Sequence, residues 1–173
     1  IAKRSLEHFW RYFEKAFHNG LCKKIGLSGL DKEGTKLAFD FLDLLAKSEV
    51  DFTISYRALG DHLEQGNNKN FIKLFDDTAA IEKWLTRWNE NLSNEGKGIE
   101  EVSKQMKMVN PAFIPRNHQI EKAIDLATNA EDFTLMEDLI TVLNSPFESN
   151  DTFAELSQPP RKEQEVTQTF CGT

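Results

Sequence analysis

The sequence is short of most things that specialised folds rely on. It has two cysteines in 173 residues, Cys22 and Cys171. Two thiols this far apart are no disulfide framework and fit a reducing compartment. No apolar run approaches the eighteen or so residues that cross a bilayer, so no membrane partner is expected. Positive charge is not in excess either. Lys and Arg number 21 against 28 Asp and Glu, a net charge of −7. An acidic surface repels phosphate backbones, so no nucleic acid is expected as a partner. The basic pairs Lys23-Lys24 and Arg161-Lys162 read as solvated surface. The chain has no Gly-x-Gly-x-x-Gly, no Gly-Lys-Ser/Thr, no Gly-x-Ser-x-Gly and no His-Arg-Asp. The usual signatures of phosphate loops, serine hydrolases and kinase catalytic loops are therefore missing. None of His8, His18, His62 and His118 has partners spaced as in a zinc motif, so no metal site is read here.

What is present is apolar side chain. Thirteen Phe and three Trp, in a chain 39% hydrophobic, exclude a mostly disordered polypeptide. The length suffices for a real core without staples. The opening residue is Ile1 rather than Met. This fits a piece of a longer protein, or a processed N-terminus.

Helical periodicity runs through most of the chain. Residues 5–19 read as a helix with Leu6, Phe9, Trp10, Phe13 and Phe17 inward and Gly20 as its left-handed stop. Residues 21–34, with three glycines, read as a loop. A helix over 35–47 turns Leu37, Ala38, Phe41, Leu44 and Leu45 inward. Asp51 caps a third, with Phe52, Tyr56, Leu59 and Leu63. Phe71, Leu74 and Phe75 mark a short one. Asp77 or Thr78 starts the clearest helix, which runs to about residue 91 on Ile81, Trp84, Leu85, Trp88 and Leu92. Its Trp-rich stripe reads as core. Ile99, Val102 and Met106 give the next helix, which Asn110-Pro111 stops.

The chain is organised around residues 109–127. Pro115 has no N–H and belongs at a helix start. Ile120, Ala123, Ile124 and Ala127 then share one face. Asp132 caps a last helix with Phe133, Met136, Leu139, Ile140 and Leu143 inward. Periodicity ends near Phe147, and Pro159-Pro160 excludes helix there. Phe153, Leu156, Phe170 and Cys171 are poorly suited to water, so this tail should pack back on something. The expectation is an all-α fold of about eight amphipathic helices in one irregular bundle over 1–147, with an irregular tail over 148–173.

Two features could carry chemistry. Arg116, Asn117 and His118 form the most suggestive polar cluster, read first as residues that tie a turn to nearby carbonyls and a carboxylate. Cys171 is either an incidental tail thiol or one able to exchange with a partner cysteine. Cys22 reads as a small buried apolar residue.

Four stretches together resemble one family. Leu21-Cys-Lys-Lys-Ile-Gly-Leu27 is similar to its Met-x-x-Lys-Leu-Gly-Leu segment, with Cys22 and Ile25 departing. Asp51-Phe-Thr-Ile-Ser-Tyr-Arg57 resembles its Asp-Tyr/Phe-Thr-x-x-Phe-Arg segment. Asn110-Pro-Ala-Phe-Ile-Pro-Arg-Asn-His118 resembles its Asn-Pro-x-x-Ile-Pro-Arg-Asn-His segment. Thr169-Phe-Cys-Gly-Thr173 is similar to its C-terminus. The family is selenoprotein O, also described as YdiU. The resemblance spans nearly the whole chain in order. It implies the C-terminal helical part of a protein adenylyltransferase, which moves AMP from ATP to Ser, Thr or Tyr hydroxyls. ATP and Mg²⁺ are implied for the full-length protein and no cofactor for this part, because the catalytic groups belong to kinase-like lobes upstream of Ile1. Those lobes are the implied partner, with protein substrates beyond them. No catalytic residue carries over. Cys171 does: at this third-from-last position eukaryotic members can have selenocysteine, and some bacterial members pair the cysteine with one near the active site. The implied location is cytoplasmic in a bacterium and mitochondrial in a eukaryote. The alternative is a free-standing helical interaction module without enzymatic role.

Overall fold

The computed structural model describes residues 2–28, 31–66 and 69–165, with side chains from residue 8 onward. Among the described residues there are eight α-helices, two 3-10 turns and no strand. The all-α expectation holds. Contacts divide the chain into Ile1–Asn110 and Pro111–Thr173. The sequence-based division at residue 147 differs from this. Phe113, Ala123, Leu139 and Val142 share their core with Leu156 of the segment that follows.

The first unit contains α1 (Ala2–Lys24), α2 (Lys32–Lys47), α3 (Phe52–Gln65), α4 (Lys69–Ile72), α5 (Thr78–Glu95) and α6 (Ile99–Val109). Three of them start on aspartate. Asp31, Asp51 and Asp77 each accept the backbone N–H three residues on, from Gly34 at 2.6 Å, Ile54 at 2.8 Å and Ala80 at 2.9 Å. Each bond satisfies one of the amides that a helix start leaves without a partner. The helices close on a core of Leu37, Phe41, Tyr56, Leu59, Phe71, Ile81 and Met106. Trp84 stacks on Phe41 at 4.7 Å and on Trp88 at 5.6 Å. Both indole N–H groups find carbonyls, Trp84 at Leu37 (2.9 Å) and Trp88 at Ile25 (2.7 Å). The Trp stripe is therefore core, as its spacing implies.

The first helix departs most from expectation. It does not stop at Gly20 but runs to Lys24. Its stop is Gly26, at φ +79°. The Leu27 N–H reaches back to the Cys22 carbonyl at 3.0 Å, and the Gly26 N–H to that of Lys23 at 3.1 Å. This is the paired closure of a Schellman turn. The loop expected over 21–34 is therefore shorter, with residues 21–24 in α1 and 32–34 in α2. The longer α1 forms because Leu21, Cys22 and Ile25 are buried and carry the helix past Gly20 into the core. The aromatic face expected inward points out instead. Phe9 is 57% exposed, Trp10 58%, Phe13 47% and Phe17 44%.

The second unit contains α7 (Asn117–Ala130), α8 (Thr134–Asn144) and 3-10 turns at Asp151–Ser157 and Lys162–Gln164. Its core is Phe113, Ala123, Leu139, Val142 and Leu156. The Ala112 and Phe113 N–H groups both donate to the Pro146 carbonyl, at 2.7 and 3.1 Å. Asp132 accepts from the Thr134 N–H at 2.9 Å, but the N-cap of α8 is Phe133, so Asp132 stands one residue before the cap expected of it. The buried faces are rotated from those expected. Gln119 and Ala123 are buried on α7 while Ile120 and Ile124 are exposed, and Phe133 at the N-cap of α8 and Met136 and Ile140 within it are exposed too. The tail is less irregular than its sequence suggests. Leu156 is buried and Phe153 packs against the same core.

Candidate functional site

The polar residues singled out in the sequence fall into two hydrogen-bonded clusters, one in each unit. In the second unit, Asn110-Pro111 is followed by extended chain, and Arg116 takes the N-cap of α7 at φ −83°, ψ 129°. Pro115 therefore precedes the helix, where its missing N–H costs nothing. Arg116 is 6% exposed, and its Nε donates to the Ser157 carbonyl at 3.1 Å. One turn on, the Gln119 Nε2 donates to the carbonyls of Leu156 (3.0 Å) and Glu155 (3.4 Å). The N-cap arginine and one side chain of α7 thus satisfy three successive carbonyls of the 3-10 turn Asp151–Ser157. Asn117 is exposed, and His118 is half-buried. Burial, and then the nearby Arg116 guanidinium, hold the His118 imidazole below its ordinary pKa and favour the neutral ring.

His118 borders two open depressions. One, of about 440 Å³, is lined by Ile114, Arg116, Asn117 and Gln164; the other, of about 350 Å³, by Gln119, Lys122, Glu155 and Arg161. The carbonyls of Glu155, Leu156 and Ser157 are already engaged here. The arrangement binds the chain to itself. Gln119 has no counterpart among the residues picked from the sequence. Its position four residues before Ala123, on the same helix face, was the available signal.

The first unit has a comparable cluster at the C-terminus of α6. The Lys24 Nζ donates to the Asn110 Oδ1 at 3.2 Å and lies 3.4 Å from the Val109 carbonyl. The Asn110 amide donates back to the Lys24 carbonyl at 2.8 Å. The Arg57 Nη1 reaches the carbonyls of Asn110 (3.2 Å) and Lys107 (3.3 Å). The last carbonyls of a helix have no partners within it and carry its negative end, so two cations suit this place. The Lys24 ammonium also lies 5.3 Å from the ring centres of both Phe52 and Tyr56. Burial lowers the pKa of Lys24, and burial likewise lowers that of Arg57 while Asp61 opposes the shift. Lys24, read as solvated surface with Lys23, is instead a half-buried tie between α1 and α6.

Gly26 completes this corner. A Cβ there would stand 2.5 Å from Val102 Cγ1 and 3.0 Å from Met106 Sδ. Cys22 is buried, and burial pushes its thiol pKa up, which leaves it protonated and unreactive.

Comparison with known proteins places these clusters in context. Residues 2–144 match the model of the family described as protein adenylyltransferase SelO. The chain belongs to the SelO family. It is 38% identical over 174 residues to the protein nucleotidyltransferase YdiU of Rhodopseudomonas palustris (strain HaA2), a match over all of this chain and 35% of that protein. It is 40% identical over 173 residues to the protein of the same description from Bradyrhizobium diazoefficiens, covering 99% of this chain and 35% of the relative. For that of Rhizobium meliloti (strain 1021) the identity is 36%, over 100% of the chain and 36% of the relative. The chain thus spans about a third of the length of these SelO relatives.

Three of the four segments that resemble SelO supply the two clusters. Lys24 and Gly26 come from the first, Arg57 from the second, and Asn110 and Arg116 from the third. The fourth, with Cys171, lies outside the described residues. No group of three or more His, Cys, Asp or Glu side chains among the described residues could hold a metal ion.

Proposed function

We propose that this chain is the non-catalytic helical part of a SelO protein adenylyltransferase, and that it supports kinase-like lobes elsewhere in the same polypeptide. The observation that carries the reading is how the family segments spend their polar groups. Lys24, Arg57, Asn110, Arg116 and Gln119 all bond to backbone carbonyls or to one another. Groups engaged in this way hold helices and turns; they are not free to grip a triphosphate or a reacting hydroxyl. AMP transfer needs a lysine on the phosphates and carboxylates on Mg²⁺. None of these five side chains is placed to serve in either role, which supports assigning the transfer to other parts of the full-length protein. ATP, Mg²⁺ and the protein substrates belong to the full-length protein. The length of the relatives favours this reading over a free-standing interaction module. Their bacterial origin favours the cytoplasm over the mitochondrion.

Cys171 is the second part of the proposal. It acts as a redox thiol: exchange with a small-molecule disulfide oxidant, which leaves as two thiols, joins it to a cysteine elsewhere in the full-length chain and fastens the tail near the active site. The buried, protonated Cys22 is unsuited to be its partner. If Cys171→Ser leaves the redox sensitivity of the full-length activity unchanged, this part is wrong.

The test of the main reading is AMP transfer from α-labelled ATP onto protein, with the 173-residue chain beside the full-length protein. Label from the full-length protein and none from the chain alone is the expected result. Label from the chain alone would require a nucleotide site among these helices and would overturn the reading.

A further inference from the structure

The exposed aromatic rings of α1 form an ordered surface rather than scattered side chains. Phe9 and Phe13 stack at 6.1 Å, and Phe13 and Phe17 at 5.8 Å with ring planes 9° apart. Trp10 packs edge-on to Phe9 at 5.7 Å and to Phe13 at 5.9 Å. The row ends on a second helix, where Phe39 of α2 meets Phe17 at 6.2 Å and His18 at 5.3 Å. Five rings about half exposed amount to on the order of 500 Å² of apolar surface, taking roughly 200 Å² per ring side chain. That is near the largest patch an ordinary monomer leaves in water. The patch is firmly based, because α1 continues from it into the buried Leu21, Cys22 and Ile25.

We propose that the aromatic face of α1 is the docking surface for the rest of this protein's own polypeptide, which covers Phe9, Trp10, Phe13 and Phe17 with an apolar surface. Two observations choose that occupant. The SelO match begins at residue 2, so α1 belongs to the structure the family shares. The relatives are almost three times the length spanned here, so roughly two thirds of each lies outside this chain. The inference rests on the reading that this chain is one part of a longer polypeptide, and it is independent of AMP transfer.

Hydroxyl-radical footprinting read by mass spectrometry tests it, on the full-length protein and on the 173-residue chain. Trp84 and Trp88, buried with their N–H groups bonded, serve as protected references in both. The expected result is several-fold slower modification of Phe9, Trp10, Phe13 and Phe17 in the full-length protein than in the shorter chain. Equal fast rates in both would overturn it, as would slow rates already present in the shorter chain. Protection of the full-length protein that disappears on dilution would assign the face to a second copy. Co-flotation with phosphatidylserine vesicles, with these rings still modified fast in their absence, would assign it to a membrane surface. Either result overturns the proposal. A Trp10→Ser/Phe13→Ser variant gives a second readout: the melting temperature of the shorter chain stays unchanged while that of the full-length protein falls by several degrees. Protection without any AMP transfer would leave the docking surface standing and remove only the enzymatic reading.

Discussion

Gly26 admits no side chain, for two separate reasons. Its φ of +79° is one that L residues rarely take, and Val102 Cγ1 occupies the place where a Cβ would stand. Left-handed backbone costs an L residue about 1–2 kcal/mol, and overpacking a core adds about 1–3 kcal/mol. Gly26→Ala is therefore expected to destabilise the first unit by about 3 kcal/mol, measurable by urea unfolding. A Gly20→Ala control should not destabilise it, since that Cβ would meet nothing within 4 Å. At His118 the expected effect is one of pH. Its folded pKa is depressed, so the unfolded chain binds the proton more readily. The linked stability is fully present above the unfolded histidine value near 6.5 and is lost as pH falls through the folded value. An NMR titration should place the His118 midpoint below that of histidine in a disordered peptide. A midpoint at or above that value would contradict the geometry around Arg116.

Helix starts are a matter of single side chains, and they can be tested singly. Asp51 holds the first turn of α3 through the Ile54 N–H. Asp51→Ala should cost about 1 kcal/mol, and Asp51→Ser considerably less, since a hydroxyl can also accept. Equal losses in a thermal melt would show that the cap contributes little. The caps at Asp51 and Asp77 were legible in the sequence, as was α5, because Asp77 and an unbroken Ile81–Trp84–Leu85–Trp88–Leu92 stripe agree, whereas the Asp31 cap of α2 was not. Nor was the end of α1. Two glycines could have stopped it, and only the burial of Leu21, Cys22 and Ile25 decides for Gly26. Periodicity tells which residues share a face and not what covers that face. This is why the aromatic row of α1 and Ile124 of α7 were expected inside. In the candidate site, Arg116 stood out in the sequence, though its partner, the Ser157 carbonyl 41 residues on, did not; Gln119 and Lys24 did not stand out as site residues at all. Their partners lie 37 and 86 residues away, and no local pattern encodes such pairings.

For the whole molecule, family membership and structure bear on each other. The SelO segments are far apart in sequence, yet Lys24, Arg57 and Asn110 meet at one helix end. Their shared place accounts for the residue types: a long cation threads between rings, a guanidinium closes the last carbonyls, and an amide both gives and takes. Resemblance brought these segments to attention, while the hydrogen bonds supply their physical purpose. The central claim is that this purpose is structural. The most direct measurement is AMP transfer per folded molecule in the full-length protein carrying Asn110→Ala or Arg57→Met, with the melting temperature recorded in parallel. The account predicts a melting temperature lower by several degrees and an unchanged transfer rate at temperatures where the variant is folded. Transfer reduced by orders of magnitude with an unchanged melting temperature would contradict it and move these residues into the chemistry.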